Sequence, residues 1–384
     1  MKNNALIAGI ILLLYLFTVP VTAQEKKYNA IQAVVPFLTI APDSRAGALG
    51  NAGVATSADL YSMHWNPAKY AFIDGKAGFG MSYVPWLRAL VNDINLSNIT
   101  GFYRIDNRQV VAASLMYSAL GRIEFTDEYG GRLMDINPNE FSVDAAYSRL
   151  FSEHWSGGVA LRFIYSNLTG GQTVGSTETD VGTAFAADAS VFYTTPLKLG
   201  AKTGNYAAGL NFSNIGSKMS YTADNDPDFI PMNMRLGTTF SIDLDKYNTI
   251  EFSLDINKLL VPTPPFYDED ENITDGMDPN VSVPVAIFQS FYDAPGGFKE
   301  ELQEFTQSFG IEYWYNQQFA LRAGYHNEAM DKGNRKFFTA GAGFRLSLIN
   351  LDFSYLIALT QNSPLAGTVR FSLGFEFDSL RSQK

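Results

Sequence analysis

The stretch WSGGVALRFIYS, residues 155–166, decides the fold, because apolar and polar positions alternate along it with a period of two. Large apolar side chains occupy one face, and small or polar side chains, with one arginine, occupy the other. The apolar face holds Trp155, Val159, Leu161, Phe163 and Tyr165, and the opposite face holds Ser156, Ala160, Arg162, Ile164 and Ser166. The pattern predicts a β-strand that lies between two different environments.

The same alternation recurs in about fourteen segments of the chain. In each case the charged residues stand on the face opposite the aromatic residues, as Arg322 and Arg370 do. The segments are 77–84, 96–104, 108–117, 138–150, 154–166, 184–195, 204–213, 233–242, 247–257, 308–316, 318–326, 336–346, 349–357 and 367–377. We therefore predict an all-β fold, a transmembrane outer-membrane β-barrel of about 14 antiparallel strands, with Arg162, Arg322 and Arg370 facing the lumen.

The connections between these segments give an independent indication of a barrel. Connections after even-numbered segments are short, such as 106–107, 196–203 and 347–348, whereas several after odd-numbered segments are long. Short periplasmic turns that alternate with long extracellular loops are typical of outer-membrane barrels. Unpaired backbone groups are costly in lipid, so the last strand should pair with the first. We expect both termini at the short-turn end; a soluble β-sandwich is the alternative.

Residues 1–23 have the pattern of a secretory signal peptide, with a lysine, an apolar run and a small-residue cleavage site. Its removal would leave 27 basic residues against 39 acidic residues, a balance that argues against binding to nucleic acid. The chain has no cysteine, which excludes disulfides and thiolate chemistry. No later apolar run approaches the ~20 residues of a membrane helix.

Residues 24–76 differ from the rest of the chain because their central part, 36–72, is irregular and rich in Gly and Ala. We predict that they form a plug inside the barrel or across its mouth, ahead of a barrel over residues 77–384. The residues that single out this segment are Pro42, Asp43, Arg45, Gly47, Gly50, Gly53, Asn66 and Pro67. The glycines stand at intervals of three, where backbones can approach closely or adopt φ > 0.

Three motifs in this region carry a family resemblance. They are Pro42-Asp43-Ser44-Arg45, Trp65-Asn66-Pro67-Ala68-Lys69 and Pro85-Trp86-Leu87-Arg88. Together they resemble the PorV (LptO) family of the type IX secretion system, outer-membrane barrels related to FadL-like channels. The resemblance implies a Gram-negative, Bacteroidota-like outer membrane, and partners that include the secretion translocon barrel, the C-terminal domains of cargo and a sortase subunit.

The loops are the expected place for specificity. Loop 258–307 carries an acidic run at 268–271 and four aromatic residues, Phe288, Phe291, Tyr292 and Phe298, with a short helix expected within 298–309. These aromatic residues indicate either a partner contact or a lid folded over the barrel mouth. Trp86 and Leu87, in the first loop, are either partner contacts or members of the interfacial aromatic girdle.

No motif in the sequence points to catalysis, a cofactor or a metal. The three histidines, His64, His154 and His326, stand far apart, and no G-x-S-x-G elbow is present. Asp268 and Asp270 begin an EF-hand-like pattern that then fails, because Ile273 replaces the required glycine. Asp224, Asp226 and Asp228 form a second acidic comb. We interpret both as solvated loop charge, with weak calcium binding as the alternative.

Two functions remain open from the sequence. The resemblance implies a non-enzymatic shuttle that binds the C-terminal signal domain of cargo and moves it from the translocon to the surface sortase complex. The alternative is a FadL-like channel for hydrophobic small molecules, in which the plug moves. A channel needs a continuous apolar pocket under the plug, whereas a shuttle needs an exposed apolar patch on its loops.

Overall fold

A computed structural model describes residues 29–126, 129–173, 178–222 and 227–377. The predicted signal peptide, 1–23, lies outside the described residues, as do Asp224 and Asp226 of the second acidic comb. Among the described residues, no helix has the length and apolar character needed to cross a bilayer.

Fourteen antiparallel strands form a closed barrel, as predicted. Their bounds in chain order are β1 Ala77–Pro85, β2 Ile94–Arg104, β3 Gln109–Leu120, β6 Asn139–Leu150, β7 Trp155–Asn167, β8 Gly182–Leu199, β9 Lys202–Gly216, β10 Asn233–Asp243, β11 Asn248–Leu259, β14 Thr306–Tyr315, β15 Phe319–Asn327, β16 Phe337–Leu346, β17 Ile349–Ala358 and β18 Val369–Phe377. Each strand pairs with its neighbours in sequence, and β18 pairs with β1 from Ala77 opposite Phe377 to Tyr83 opposite Phe371. Closure leaves the barrel without a free sheet edge.

The strand faces are those that the alternation predicts. Leu161 is 71% exposed on the outer face, and Phe371 is also exposed. Arg162, Arg322 and Arg370 are buried on the inner face, which confirms their predicted direction. An outward apolar band with inward polar residues is the arrangement that lipid requires of a barrel.

Two long loops carry additional elements. The loop between β3 and β6 contains a small hairpin, β4 Ile123–Thr126 with β5 Arg132–Ile136. Loop 258–307 contains a second hairpin, β12 Phe266–Tyr267 with β13 Ile273–Asp275, and two helices, Val283–Gln289 and Phe298–Gln303. The helix expected within 298–309 is therefore shorter, because β14 begins at Thr306.

The turn predicted at 196–203 is wrong. Strands β8 and β9 continue to a tight turn, with Leu199 opposite Lys202 and a positive φ of 65° at Gly200. The pairing of β7 with β8 ends at Tyr193, so Pro196 pairs only with β9. The N–H that proline lacks is therefore not needed for a hydrogen bond to β7.

The N-terminal segment, which we define as residues 29–76, runs through the lumen. At the long-loop end, the amide of Asn29 donates to Asp331 O at 3.0 Å. At the short-turn end, Arg104 donates to the carbonyl oxygens of Ile73 and Gly75. The segment contains 3-10 turns at Pro36–Thr39 and Pro67–Phe72 and short helices at Ser44–Ala48 and Ser62–Trp65. The first described residue, Asn29, therefore lies at the long-loop end, whereas the terminus that was expected at the short-turn end lies outside the described residues.

Candidate functional site

The N-terminal segment is hydrogen-bonded to inward side chains and backbone groups around the barrel wall. Contacts of this kind involve β1, β2, β6, β7, β8, β9, β10, β11, β14, β16 and β18. For example, the Ser44 amide donates to Ser372 Oγ at 2.9 Å, and Asn211 Nδ2 donates to Trp65 O at 3.0 Å. Backbone groups of an irregular segment need such partners when they are buried. The segment therefore fills the cross-section of the lumen.

Asp43 ties two of the predicted motifs together. Its Oδ2 accepts the Ala46 amide at 2.8 Å, which caps the helix Ser44–Ala48, and its Oδ1 accepts Trp65 Nε1–H at 2.7 Å. Pro42 precedes this cap, in the extended chain that enters the helix. One buried carboxylate thus fixes both a helix start and an indole ring that stands 22 residues later.

Arg45 is the centre of a buried ionic network. Its Nε and Nη2 atoms donate to the two oxygens of Glu312 at 3.0 and 2.7 Å, and Nη1 donates to Asp59 at 3.1 Å. Glu312 is held in turn by Arg322 Nε at 2.6 Å. A paired, planar guanidinium–carboxylate contact is the strong form of such a bond, so Arg45 locks the segment to β14.

The three glycines of the segment stand where it touches its surroundings most closely. Gly50 has a φ of 68°, and a Cβ there would lie 2.6 Å from the carbonyl oxygen of Tyr325. A Cβ on Gly53 would lie 2.5 Å from the Trp65 ring, and one on Gly47 would lie 2.7 Å from Arg370. The spacing of three therefore reflects close approach to the barrel wall and to the indole ring.

Asn66 and Pro67 begin the 3-10 turn Pro67–Phe72. Asn66 Oδ1 accepts the Ala68 amide at 3.0 Å, and Asn66 Nδ2 donates to Val54 O and Val191 O, both at 3.1 Å. Proline suits the first position of such a turn, since that position has no intrahelical partner for an N–H. All eight residues that single out the segment are buried in the lumen, and their contacts are internal.

The long loop, which we call the lid (residues 260–305), is anchored to the barrel mouth by buried charges. Lys258 Nζ, at the end of β11, lies 3.3 Å from Glu301 and also contacts Glu304. Lys332, from the loop after β15, lies 2.9 Å from Glu304 Oε1 and 2.5 Å from Glu300. Such a network is costly to break, because removing one partner leaves a buried charge uncompensated.

The lid also seals an apolar cluster above the N-terminal segment. Leu260, Val261 and Ala286 are buried against Phe37 and Leu38 of that segment, together with Met219, Ile230 and Met232. Burying a side chain of this size contributes ~1.5–3 kcal/mol relative to leaving it exposed. The lid therefore packs as a folded cover over the barrel mouth.

The four aromatic residues of the lid nonetheless remain exposed. Phe288, Phe291, Tyr292 and Phe298 are 71%, 41%, 62% and 77% exposed. With ~200 Å² for an aromatic side chain, they leave roughly 500 Å² of aromatic surface in water. Phe291 is the most covered and lies 5.5 Å from Lys258 Nζ. The loop is thus folded back on its own barrel while its aromatic side chains face away from it.

Trp86 and Leu87 lie in the loop after β1, and their role as partner contacts stays a prediction. Trp86 is half-buried and packs against the apolar cluster beneath the lid, so it lies over the lumen and outside the lipid-facing girdle. Leu87 has a φ of 50° in the tight turn that follows β1.

The anchoring charges Lys258, Glu304 and Lys332 were not singled out from the sequence. The only signal was an inward-facing lysine at the end of β11, whose partners stand more than 40 residues later.

Among the described residues, no group of three or more His, Asp or Glu side chains has the spacing of a metal site. Asp268 Oδ1 instead accepts the amides of Asp270 and Asn272 at 3.0 and 2.8 Å, which makes it the start of a turn. His326 Nδ1 lies 3.0 Å from Ser308 Oγ, with its ring stacked on Phe337.

Comparison with solved structures finds the same fold in channel proteins. The toluene transporter TodX of P. putida has a TM-score of 0.50 at 11% identity, covering 87% of this chain and 98% of its own. A FadL homologue of Pseudomonas aeruginosa has a TM-score of 0.43 at 11% identity, covering 91% and 99%. No curated protein sequence matches the chain.

A family model described as "Type IX secretion system protein PorV" matches residues 22–266, well over half of the chain. The matched region includes the N-terminal segment, nine barrel strands and the start of the lid. The barrel, with its irregular segment threaded through the lumen, has the architecture that the family resemblance implies. The chain belongs to the PorV family of type IX secretion system proteins.

Proposed function

We propose that this outer-membrane component of the type IX secretion system binds the C-terminal signal domain of secreted cargo at the outer surface of its lid. It would then carry the cargo from the translocon to the surface sortase complex, without enzymatic activity. Family membership supports a role in secretion. The observation that carries the docking step is the exposure of Phe288 and Phe298, at 71% and 77%, on a lid that is otherwise well anchored.

The chemistry of the lid suits a contact that forms and then releases. A rigid support reduces the ordering cost of binding, and exposed aromatic residues are the usual centres of interface energy. The acidic turn at 268–271 stands on the same lid and would add an electrostatic contribution that depends on salt. Arg122 and Arg132, at the β4–β5 hairpin of another loop, carry charges of the opposite sign and share Asp135.

The N-terminal segment supports a static role for the barrel. We propose that residues 24–76 form the plug of a barrel that spans 77–384, after export by a cleaved signal peptide of 1–23 in a Bacteroidota-like cell. Arg45 and Asn66 fix the described part of the segment to the surrounding wall, and Asp43 holds the segment together through Trp65. A barrel plugged in this way acts as a membrane-held scaffold for its loops.

A FadL-like channel for hydrophobic small molecules remains the alternative, and the fold likeness to TodX supports it at the level of architecture. A channel of that kind needs a continuous apolar path. The cavity beneath the lid measures about 160 Å³ and is lined by several charged side chains. Arg45 of the N-terminal segment is paired with Glu312 of β14 in the lumen. These features favour the shuttle.

Both functions can be tested in a strain that lacks its own copy of the protein. The double variant Phe288→Ser/Phe298→Ser should reach the outer membrane in normal amounts and stay heat-modifiable, because neither side chain is buried. Surface attachment of cargo should fall, whereas the matched variant Tyr267→Ser, on the lid hairpin, should behave as wild type. Normal cargo attachment in the double variant, with altered uptake of toluene, would instead support the channel.

A further inference from the structure

A cavity of about 160 Å³ lies between the N-terminal segment and the lid. Its wall contains six charged side chains, contributed by β10, β18, the lid and the loop after β15: Arg235, Arg370, Glu304, Glu328, Lys332 and Arg335. Four of them are cationic and two are anionic. The cavity therefore has more positive than negative charge in its lining.

The excess is concentrated on two arginines. Lys332 pairs with Glu304 at 2.9 Å, and Arg335 pairs with Glu328 at 2.6 Å. Among the described residues, Arg235 and Arg370 have no carboxylate oxygen within 4.0 Å. Buried cations are ordinarily paired, since desolvation of an unpaired charge is costly. Asp43 attracts Arg370, and Asp188 and Asp255 attract Arg235, only at longer range, so both guanidinium groups retain capacity to pair with an anionic ligand.

Arg370 presents the clearer unmet requirement. It is 1% exposed, and its Nε donates to Ala41 O at 3.2 Å. Its Nη1 is buried and has no hydrogen-bond partner within the described part of the chain. A buried donor left without a partner costs the full desolvation penalty of that group. The side chain lies along Gly47, whose missing Cβ leaves room for it.

Arg235 lies in the same cavity wall and is held in place from below. Its Nη1 donates to His64 O at 2.5 Å, and its guanidinium lies 5.1 Å from the Trp65 ring centre. The carbonyl and the ring position the cation, and Asp188 and Asp255 offset its charge only at longer range. Arg235 thus contributes a fixed positive charge to the cavity.

We propose that this cavity binds a carboxylate-bearing ligand, whose carboxylate accepts hydrogen bonds from Arg370 while Arg235 supplies a second positive charge. The planar guanidinium fork matches the geometry of a carboxylate. At ~30 Å³ for each water in the liquid, the cavity holds the volume of about five waters. That size admits a small organic acid or the carboxylate end of a longer chain. The site is separate from the outer lid surface on which the proposed function rests.

Calorimetric titration of the purified full chain in a non-ionic detergent tests the proposal. Butanoate represents a small acid, and Ala-Ala-Ala with a free C-terminus represents the end of a longer chain; butanamide and the amidated tripeptide are their neutral counterparts. We expect saturable binding of at least one acid, with no binding of its neutral counterpart. If neither acid binds, or if the neutral counterpart binds equally well, the proposal is wrong.

Matched variants locate the site. Arg370→Gln should weaken binding at least tenfold, and Arg88→Gln, which removes the same charge from an exposed loop position, should leave it unchanged. Arg235→Gln provides a second test if Arg370→Gln fails to fold, as judged by heat-modifiability, and should also weaken binding. Wild-type affinity in the folded Arg370→Gln protein, or in Arg235→Gln when that variant carries the test, would overturn the assignment.

Discussion

Replacement of Arg45 by leucine should free the N-terminal segment while the barrel stays closed. The side chain is 7% exposed and Glu312 is 1% exposed, and three bonds of 2.7–3.1 Å join Arg45 to Glu312 and Asp59. Breaking a buried pair by removing one partner costs ~3–5 kcal/mol. Since ~1.4 kcal/mol is a factor of ten, local opening of the segment should become roughly a hundred- to a few-thousand-fold more frequent.

Native-state hydrogen exchange, read by mass spectrometry on peptides, measures this opening directly. Peptides that cover residues 43–54 should exchange faster by about the stated factor, while strand peptides from β7 and β8 keep their protection. The matched variant is Arg132→Leu, which removes an exposed arginine paired with Asp135 on the β4–β5 hairpin. It should leave the segment unchanged. If the Arg45→Leu segment exchanges within fivefold of wild type, the network is not what holds it.

Three further changes test the segment, the lipid face and the lid. Gly50→Ala should speed exchange of residues 43–54 in the same assay, because a φ of 68° costs ~1–2 kcal/mol for an L-residue and the added Cβ would lie 2.6 Å from a backbone oxygen. Exchange at the wild-type rate would refute this. Leu161→Arg should make the free energy of folding into lipid less favourable by ~2–4 kcal/mol if the residue lies at mid-membrane. Phe151→Arg, in a turn, should make it less favourable by less than ~1 kcal/mol. Equal refolding yields for the two variants would contradict the assignment of Leu161 to the lipid face. Lys258→Met should leave Glu304 with one fewer cation and speed proteolysis within the lid, and an unchanged digestion rate would show that the charges do not anchor it.

The sequence predicted the barrel well, because lipid on one side and polar contacts on the other impose a period of two on every strand. All fourteen segments became strands, and their ends shifted by one to a few residues. The clearest error lies at 196–203, which was predicted as a connection although β8 runs to Leu199 and β9 begins at Lys202. Only Gly200 turns the chain; Pro196 is tolerated beyond the end of β7, where no ladder bond is lost.

The candidate site was less predictable, because it depends on contacts between distant parts of the chain. The small residues of 36–72 indicated a compact segment, but not its direction through the barrel, which the contact between Asn29 and Asp331 fixes. Aromatic content alone could not distinguish a lid from a docking surface. The structure shows a lid that Lys258 and Glu304 anchor, with Phe288 exposed on its outer surface. Arg370 has no ion-pair partner among the described residues, because no carboxylate from another part of the chain lies beside it. The sequence of its own strand cannot show this.

The affinity of the purified chain, held in a lipid nanodisc, for an isolated cargo C-terminal signal domain tests the central claim most directly. The account predicts saturable binding that weakens at least tenfold in Phe288→Ser/Phe298→Ser and stays at the wild-type value in Tyr267→Ser. Absence of binding, or equal affinity in the double variant and the wild type, would contradict the claim that the lid surface receives cargo.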